Sequence, residues 1–320
     1  MSTATTDMGM PPQPIGEQAA GLEIADELSS ASGPPDRAPF DSGKLLIWII
    51  LIGGALLMLI PFVWMVKSSL STQQMVTSGQ ITPSFGTAED GSLAGPQWGN
   101  YPEALGYMNF TDALANTVFV TVLSIIGQVF SCSLVGFGFA RFRFRGRNTL
   151  FILMLSTMML PPQVTMIPVF ILFRTLGLID TFWPLIIPMW LATPFFVFMF
   201  RQFFAQVPEE LMEAARIDGA SNFAIYWRMM LPLSGPVIAI VAIYTFMTAW
   251  NDFLNPLIYL NAPENRTIAL ALNTFKGQYG ISKAHLLMAA SFVCMLPCVV
   301  LFFAAQKYFV QSVATSGLKG

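Results

Sequence analysis

Residues 113–140 read ALANTVFVTVLSIIGQVFSCSLVGFGFA, twenty-eight positions without a charged side chain, and residues 141–147 follow at once with RFRFRGR. A bilayer core of roughly 30 Å is crossed by about 20 apolar helical residues. The run is long enough to span, and the arginines after it form a fixed anchor on one side. Five further charge-free runs share its character: 45–66, 148–173, 181–200, 229–251 and 286–306, of 22, 26, 20, 23 and 21 residues. Within hydrocarbon every backbone polar group must be paired inside the protein, which leaves helices or closed barrels. Unbroken apolarity over 20 residues lacks the alternation of a barrel strand. The expected fold is an all-α integral membrane protein with six transmembrane helices.

Composition supports this from another side. Of 320 residues, 54% are hydrophobic and only 11% charged, with mean hydropathy +0.61; soluble domains carry about a quarter charged residues. A net charge of −2, with no basic stripe interleaved with aromatics, excludes a nucleic-acid partner. Cys132, Cys294 and Cys298 are odd in number and lie in apolar runs, so they are no disulfide framework. Cys294 and Cys298 share a helix face that no His or acid joins, which predicts packing and no metal site. Residues 1–43 differ in kind, with seven acids, one arginine and much Pro, Gly, Ser and Ala. Such a segment buries too little apolar area to offset its ordering entropy. It reads as a disordered cytosolic tail before a transmembrane domain over 44–320. It lacks the basic start and apolar core of a signal peptide, so the first run is expected to remain.

Basic residues set the orientation. With the tail cytosolic, that side also receives Arg141, Arg143, Arg145, Arg147, Arg201, Arg216, Arg228, Lys307 and Lys319. With Arg37 and Lys44 the count is eleven of sixteen. The prediction is that both termini are cytosolic. Prolines punctuate two runs: Pro161-Pro162 and Pro168 interrupt the third, and Pro184, Pro188 and Pro194 the fourth. Proline removes a backbone donor and kinks a helix. Two readings stand, ordinary membrane proline or helices that flank a gated path.

The connection 201–233 reads RQFFAQVPEELMEAARIDGASNFAIYWRMMLPL. Pro208 suits a first helical position, and Glu209 and Glu210 suit the positive end of the helix dipole. Gly219 fits a C′ position that requires φ > 0. Ser221 and Asn222 are ready N-caps for a second short helix, and Pro232 marks where that helix gives way to the fifth span. The product is a small, rigid helix–turn–helix outside the membrane. With four acids to three arginines it is a poor lipid-binding hairpin, since those are basic. A protein partner is the better reading.

The run Glu213-Ala214-Ala215, three residues, Gly219, nine residues, Met229, one residue, Leu231-Pro232 resembles the EAA loop of the membrane subunits of binding-protein-dependent ABC importers. Met229 stands where Ile is usual. WGNYPEALGY (98–107), LANTVFVT (114–121), TAWNDFLNPLIYL (248–260), RTIALAL (266–272) and the closing SGLKG are similar to the carbohydrate permeases related to the second maltose-transporter membrane subunit. The resemblance covers roughly 44–320. It implies a type I ABC importer bundle with a cytosolic coupling helix that docks on an ATPase subunit. Glu213 would then be the charged contact, Ala214 and Ala215 would allow close backbone approach, Gly219 would allow the turn, and Asp218 would cap or pair locally. Leu231 and Pro232 close the motif. It further implies a homologous second permease subunit, an ATPase dimer and an extracytoplasmic sugar-binding protein. The chain has no G-x-x-x-x-G-K-[ST] loop, so ATP is expected to be used by the partner, and no cofactor and no catalytic residue is assigned to this chain.

Substrate contacts are sought where polar groups border a span. Asp252 borders the fifth run, beside Trp250, Asn251 and Asn255. Intramembrane ionisable groups default to function, yet an acid near the outer end of a span can be structural. Trp250 could stack on a sugar face while the amides supply directed hydrogen bonds. The alternatives are a permease for a phosphorylated polyol or another small polar solute, a secondary transporter, which would need coupling charges in the membrane, and an intramembrane serine protease. The last would pair His285 with Ser131, Ser133, Ser156 or Ser291, none of which sits in a nucleophile motif.

Overall fold

The computed structural model describes residues 42–79, 84–87, 92–276 and 283–317. The expected tail lies outside them, save that Ser42 and Gly43 already belong to the first helix. Helix α1 (Ser42–Ser69) is 28 residues long with Pro61 inside it. Of the described residues, 42–60 fall in a unit apart from the rest, divided from it at that proline. Its Leu, Ile and Trp side chains from Leu45 to Ile60 stand exposed, a surface suited to hydrocarbon and not to water.

The second unit, from Pro61, holds α2 (Asn100–Tyr107), α3 (Phe110–Arg141), α4 (Arg147–Ser156), α5 (Pro162–Thr175), α6 (Pro194–Gln206), α7 (Glu209–Ile217), α8 (Gly235–Trp250) and α9 (Ala284–Gly317). The described residues form no β-sheet, only one isolated bridge, Thr87 to Leu93. Among the described residues, four helical stretches are long and apolar enough to cross a bilayer, and two bent pairs, each taken as one span, bring the number to six. The all-α expectation is met, but two spans are not straight rods.

The third span turns through 98° between Met159 and Pro162. A proline pushes the residue before it out of the helical region. Leu160, before Pro161, has ψ 119°, and Pro161, before Pro162, has ψ 136°. Pro168, by contrast, stays inside α5 and breaks nothing. The fourth span opens with a helical turn (Trp183–Ile186) and a 3₁₀ turn (Ile187–Trp190), then breaks at Ala192, φ +56°, before Pro194 starts α6. Its regular part therefore runs to Gln206, beyond the expected end at 200. The fifth span is the bent pair Asn222–Leu233 and α8, inclined 75° to each other, so the expected run 229–251 crosses the bend, and the chain turns at Ser234, two residues past Pro232.

Helix α3 is the spine. It packs most extensively on α6 and α8. Gly127 and Gly136 make this approach possible: a Cβ on Gly136 would lie 2.7 Å from Phe200 Cβ, and one on Gly127 would enter the Trp190 ring. Small residues at such crossings let helix backbones meet closely. At the end of the bundle holding the arginine-rich loop, Phe137, Phe200, Phe204, Met212, Tyr226 and Met230 form a buried core. A second core joins Ala104 of α2 and Met108, just past its end, to Trp250, Leu286 and Ala290. A third joins Val120, Phe173, Leu185 and Tyr259.

Candidate functional site

The hairpin after α6 forms as its residues direct. Val207, preceding Pro208, is extended (ψ 129°), so α6 ends and the chain redirects. Pro208 sits one position ahead of the helix, whose first turn carries Glu209 and Glu210. At the other end Gly219 has φ +84°. Its amide donates to Arg216 O at 3.0 Å, and Ala220 N donates to Ala215 O at 2.9 Å. That pair of bonds is a Schellman closure. Ser221 caps the next turn, its Oγ accepting from Ala224 N at 3.2 Å. Asn222 is the first residue of that turn, not its cap. A five-residue π-helical turn, Tyr226–Met230, follows; such turns concentrate at functional positions.

One face of the hairpin is anchored and the other is bare. Met212, Ile225, Tyr226 and Met230 are buried in the core, with Ala215 and Leu231 half-buried against it. Glu213, Ala214, Asp218 and Pro232 are exposed. So are large apolar groups: Ile217 is 86% exposed, Phe223 63% and Trp227 51%, the two rings stacked 6.4 Å apart. Apolar side chains clustered on a rigid element mark an interaction surface.

Two links that the sequence reading passed over tie this hairpin to α3. Arg141 donates from Nη2 to the carbonyls of Phe204 and Val207, capping the end of α6. The hydroxyls of Ser133 and Tyr226, both buried, lie 2.8 Å apart in a hydrogen bond. Arg141 was legible only as an orientation charge, and Ser133 only as one serine among several in a span. None of the described hydrogen bonds joins His285 to a serine; Ser133 bonds Tyr226 and Phe130 O, and Ser156 bonds Ile152 O.

The substrate-path candidates separate. Trp250 is buried, stacked on Phe246 at 5.1 Å, with its indole N–H donated to Cys294 O at 3.1 Å. It is a packing residue here, and its ring is not offered to a sugar. Asn251 bonds back to Met247 O at 2.8 Å. Asp252 and Asn255 come together: Asn255 N donates to Asp252 Oδ1 at 3.2 Å, and Asn255 Nδ2 to Oδ2 at 2.8 Å. The carboxylate thus caps the short helix Leu254–Tyr259 and also lines a cavity of about 310 Å³ with Gln163, Thr165, Met166, Pro188 and Tyr259. The structural and functional readings of Asp252 are compatible. Gln163 follows the diproline, and a polar amide in the gap of a broken apolar run was the signal available for it.

Beyond the cavity, Asp180 (φ +60°) clasps two loops. Its Oδ1 accepts from Asn261 N and Ala262 N, both at 2.9 Å, and its own amide donates to Tyr259 O at 2.8 Å. The Ala262 amide first, then Asn261 and the Asn265 side chain, hold its carboxyl below the usual aspartate range.

A family defined as the binding-protein-dependent transport system inner membrane component matches residues 133–315, which include the whole hairpin and the cavity. The chain belongs to this family. As an inner membrane component it is 37% identical over 205 residues to the arabinooligosaccharides transport system permease protein AraQ of Halalkalibacterium halodurans, covering 64% of this chain and 73% of that one. It is 30% identical over 267 residues to the lactose transport system permease protein LacG of Rhizobium radiobacter, covering 83% and 93%. The fold matches a chain of a bacterial ABC transporter involved in the import of the acidic polysaccharide alginate, with TM-score 0.71, 24% identity, and coverage of 86% and 100%. This component is therefore an integral membrane protein with the permease fold of ABC importers.

Proposed function

We propose that this chain forms one half of the translocation path of an ATP-driven sugar importer, with the hairpin 207–232 as the joint to a separate ATPase. The observation that carries the reading is the hairpin's two-sidedness. Its inner face is locked to α3 and α6 by Met212, Tyr226 and the Arg141 cap, while Glu213, Ile217, Phe223 and Trp227 stand exposed, the two rings stacked on each other. A rigid lever with a bare apolar and acidic surface is what force transfer to another subunit requires. The permeases named for arabinooligosaccharides and lactose support a sugar as cargo. The partners in this reading are a second permease subunit, a pair of ATPase subunits that use the ATP, and an extracytoplasmic binding protein. The arginine-rich loop, the hairpin and both termini face the cytosol, following the bias of basic residues.

The test is reconstitution with those partners. Glu213→Lys, or a bulky residue at Gly219, is expected to abolish ATP-driven uptake while membrane insertion persists. Normal transport by both variants would sink the docking assignment.

A further inference from the structure

The geometry points to the cavity at the Pro161–Pro162 break as a saccharide subsite on this subunit, and to a neutral glycosyl unit as its occupant, not a phosphorylated or acidic one; the inference rests on the importer reading above. A break in a membrane-spanning helix is tolerated where it lines a water-filled cavity or is buried in protein. This break is bare: Met159 is 84% exposed and Gln163 is exposed beside it. The cavity it opens, about 310 Å³, is at the small end of the range for ligand sites, roughly 300–1,000 Å³.

The lining has the two faces that a sugar ring needs. Gln163 carries a donor and an acceptor, and none of the described hydrogen bonds uses them. Asp252 and Asn255 already hold each other, which fixes both side chains and leaves Asn255 Oδ1 and the remaining carboxylate lone pairs to accept hydroxyl protons. Their orientation is set before a ligand arrives, so less freedom is lost on binding. Pro162, Met166, Pro188 and Met189 give an apolar wall for the C–H face of a ring. Tyr259 is held rigid beneath them by Phe170 and Phe173, at 5.9 and 5.7 Å. The charge balance selects the class of cargo. Asp252 is the sole charged residue of the lining, and no Lys, Arg or His faces it. A carboxylate or phosphate on the cargo would meet like charge without a counter-cation.

The test uses the complete transporter with its binding protein in proteoliposomes, supplied with labelled arabinotriose, maltotriose or trigalacturonate, and reads sugar moved per ATP hydrolysed. Gln163→Ala and Asn255→Ala are each expected to lower that ratio for a neutral trisaccharide about two- to tenfold, the worth of one or two hydrogen bonds. Unchanged ratios in both variants, or uptake of trigalacturonate but of neither neutral trisaccharide, would overturn the subsite. As an independent measurement, a bulky maleimide on Gln163→Cys in a Cys298→Ser background should block uptake, Cys132 and Cys294 being buried and Cys298 only partly so; full uptake after modification would also overturn it. If binding protein fails to stimulate ATP hydrolysis in the unaltered complex, the importer reading falls, and the subsite with it.

Discussion

The two ends of the helical unit are built on opposite principles. At the arginine-rich end, α3, α6 and the hairpin meet over Phe137, Phe200, Phe204 and Tyr226, with hydrogen bonds from Arg141 and between Ser133 and Tyr226. Around the cavity, consecutive helices are cut at Pro161-Pro162, at Ala192 and at Asn251, and of the polar lining Gln163 enters none of the described hydrogen bonds while Asp252 and Asn255 pair with each other. The first region can pass on a push without deforming. The second can change shape without unfolding. A transporter driven from one side needs both, and each can be broken separately.

The largest effect is expected on the bare face of the hairpin. On the proposed docking, Glu213→Lys would put a cation where a partner receives an acid, and like-charge juxtaposition costs several kcal/mol. ATP-driven uptake should be lost while the chain still inserts, as read by uptake against membrane content. At Gly219 the obstacle is conformational, since a Cβ there would meet nothing within 4 Å while φ stays at +84°. A left-handed non-glycine residue costs about 1–2 kcal/mol, and Asn visits that region more readily than Val. Gly219→Asn should therefore keep more uptake than Gly219→Val; equal loss would place the defect in contact, not in backbone.

Within the rigid end the effects are smaller and appear as stability. Gly136→Ala must push Phe200 from 2.7 Å, an overpacking cost of about 1–3 kcal/mol. Ser133→Ala strands the Tyr226 hydroxyl in the core, again about 1–3 kcal/mol, whereas Tyr226→Phe leaves the Ser133 hydroxyl its bond to Phe130 O and costs less. The double variant Ser133→Ala, Tyr226→Phe should recover part of that loss, and thermal unfolding of the four forms measures the coupling. Strict additivity would mean that the bond ties nothing.

The smallest effect belongs to the outer clasp. Asp180 has a carboxyl held low by backbone amides, so its contribution is present above the ordinary aspartate range and is lost as pH falls through its lowered value. Asp180→Asn should flatten that acid dependence of unfolding and change little at neutral pH; an unchanged acid profile would remove the clasp from the account.

What could be read from the sequence follows the range of the forces involved. Spans of 20 or more apolar residues announce themselves, because hydrocarbon imposes one requirement on every position. The hairpin was legible for a related reason: its caps at Gly219 and Ser221 are local backbone chemistry, and the structure places both as read. Trp250 was misjudged because burial depends on α9, which approaches from 44 residues away to take the indole N–H at Cys294 O. Arg141 and Asp180 escaped for the same cause, since each acts on a segment that only the folded chain brings near. Proline was half-legible: Pro161-Pro162 breaks the third span, while Pro168, with the same chemistry, is absorbed in α5.

The most direct test of the whole account is uptake of a labelled trisaccharide into proteoliposomes holding this chain, its permease and ATPase partners and the binding protein, with and without ATP, for the unaltered chain and for Glu213→Lys. The account predicts accumulation only with ATP and only in the unaltered complex. Uptake that proceeds without ATP, or that survives Glu213→Lys undiminished, would contradict it.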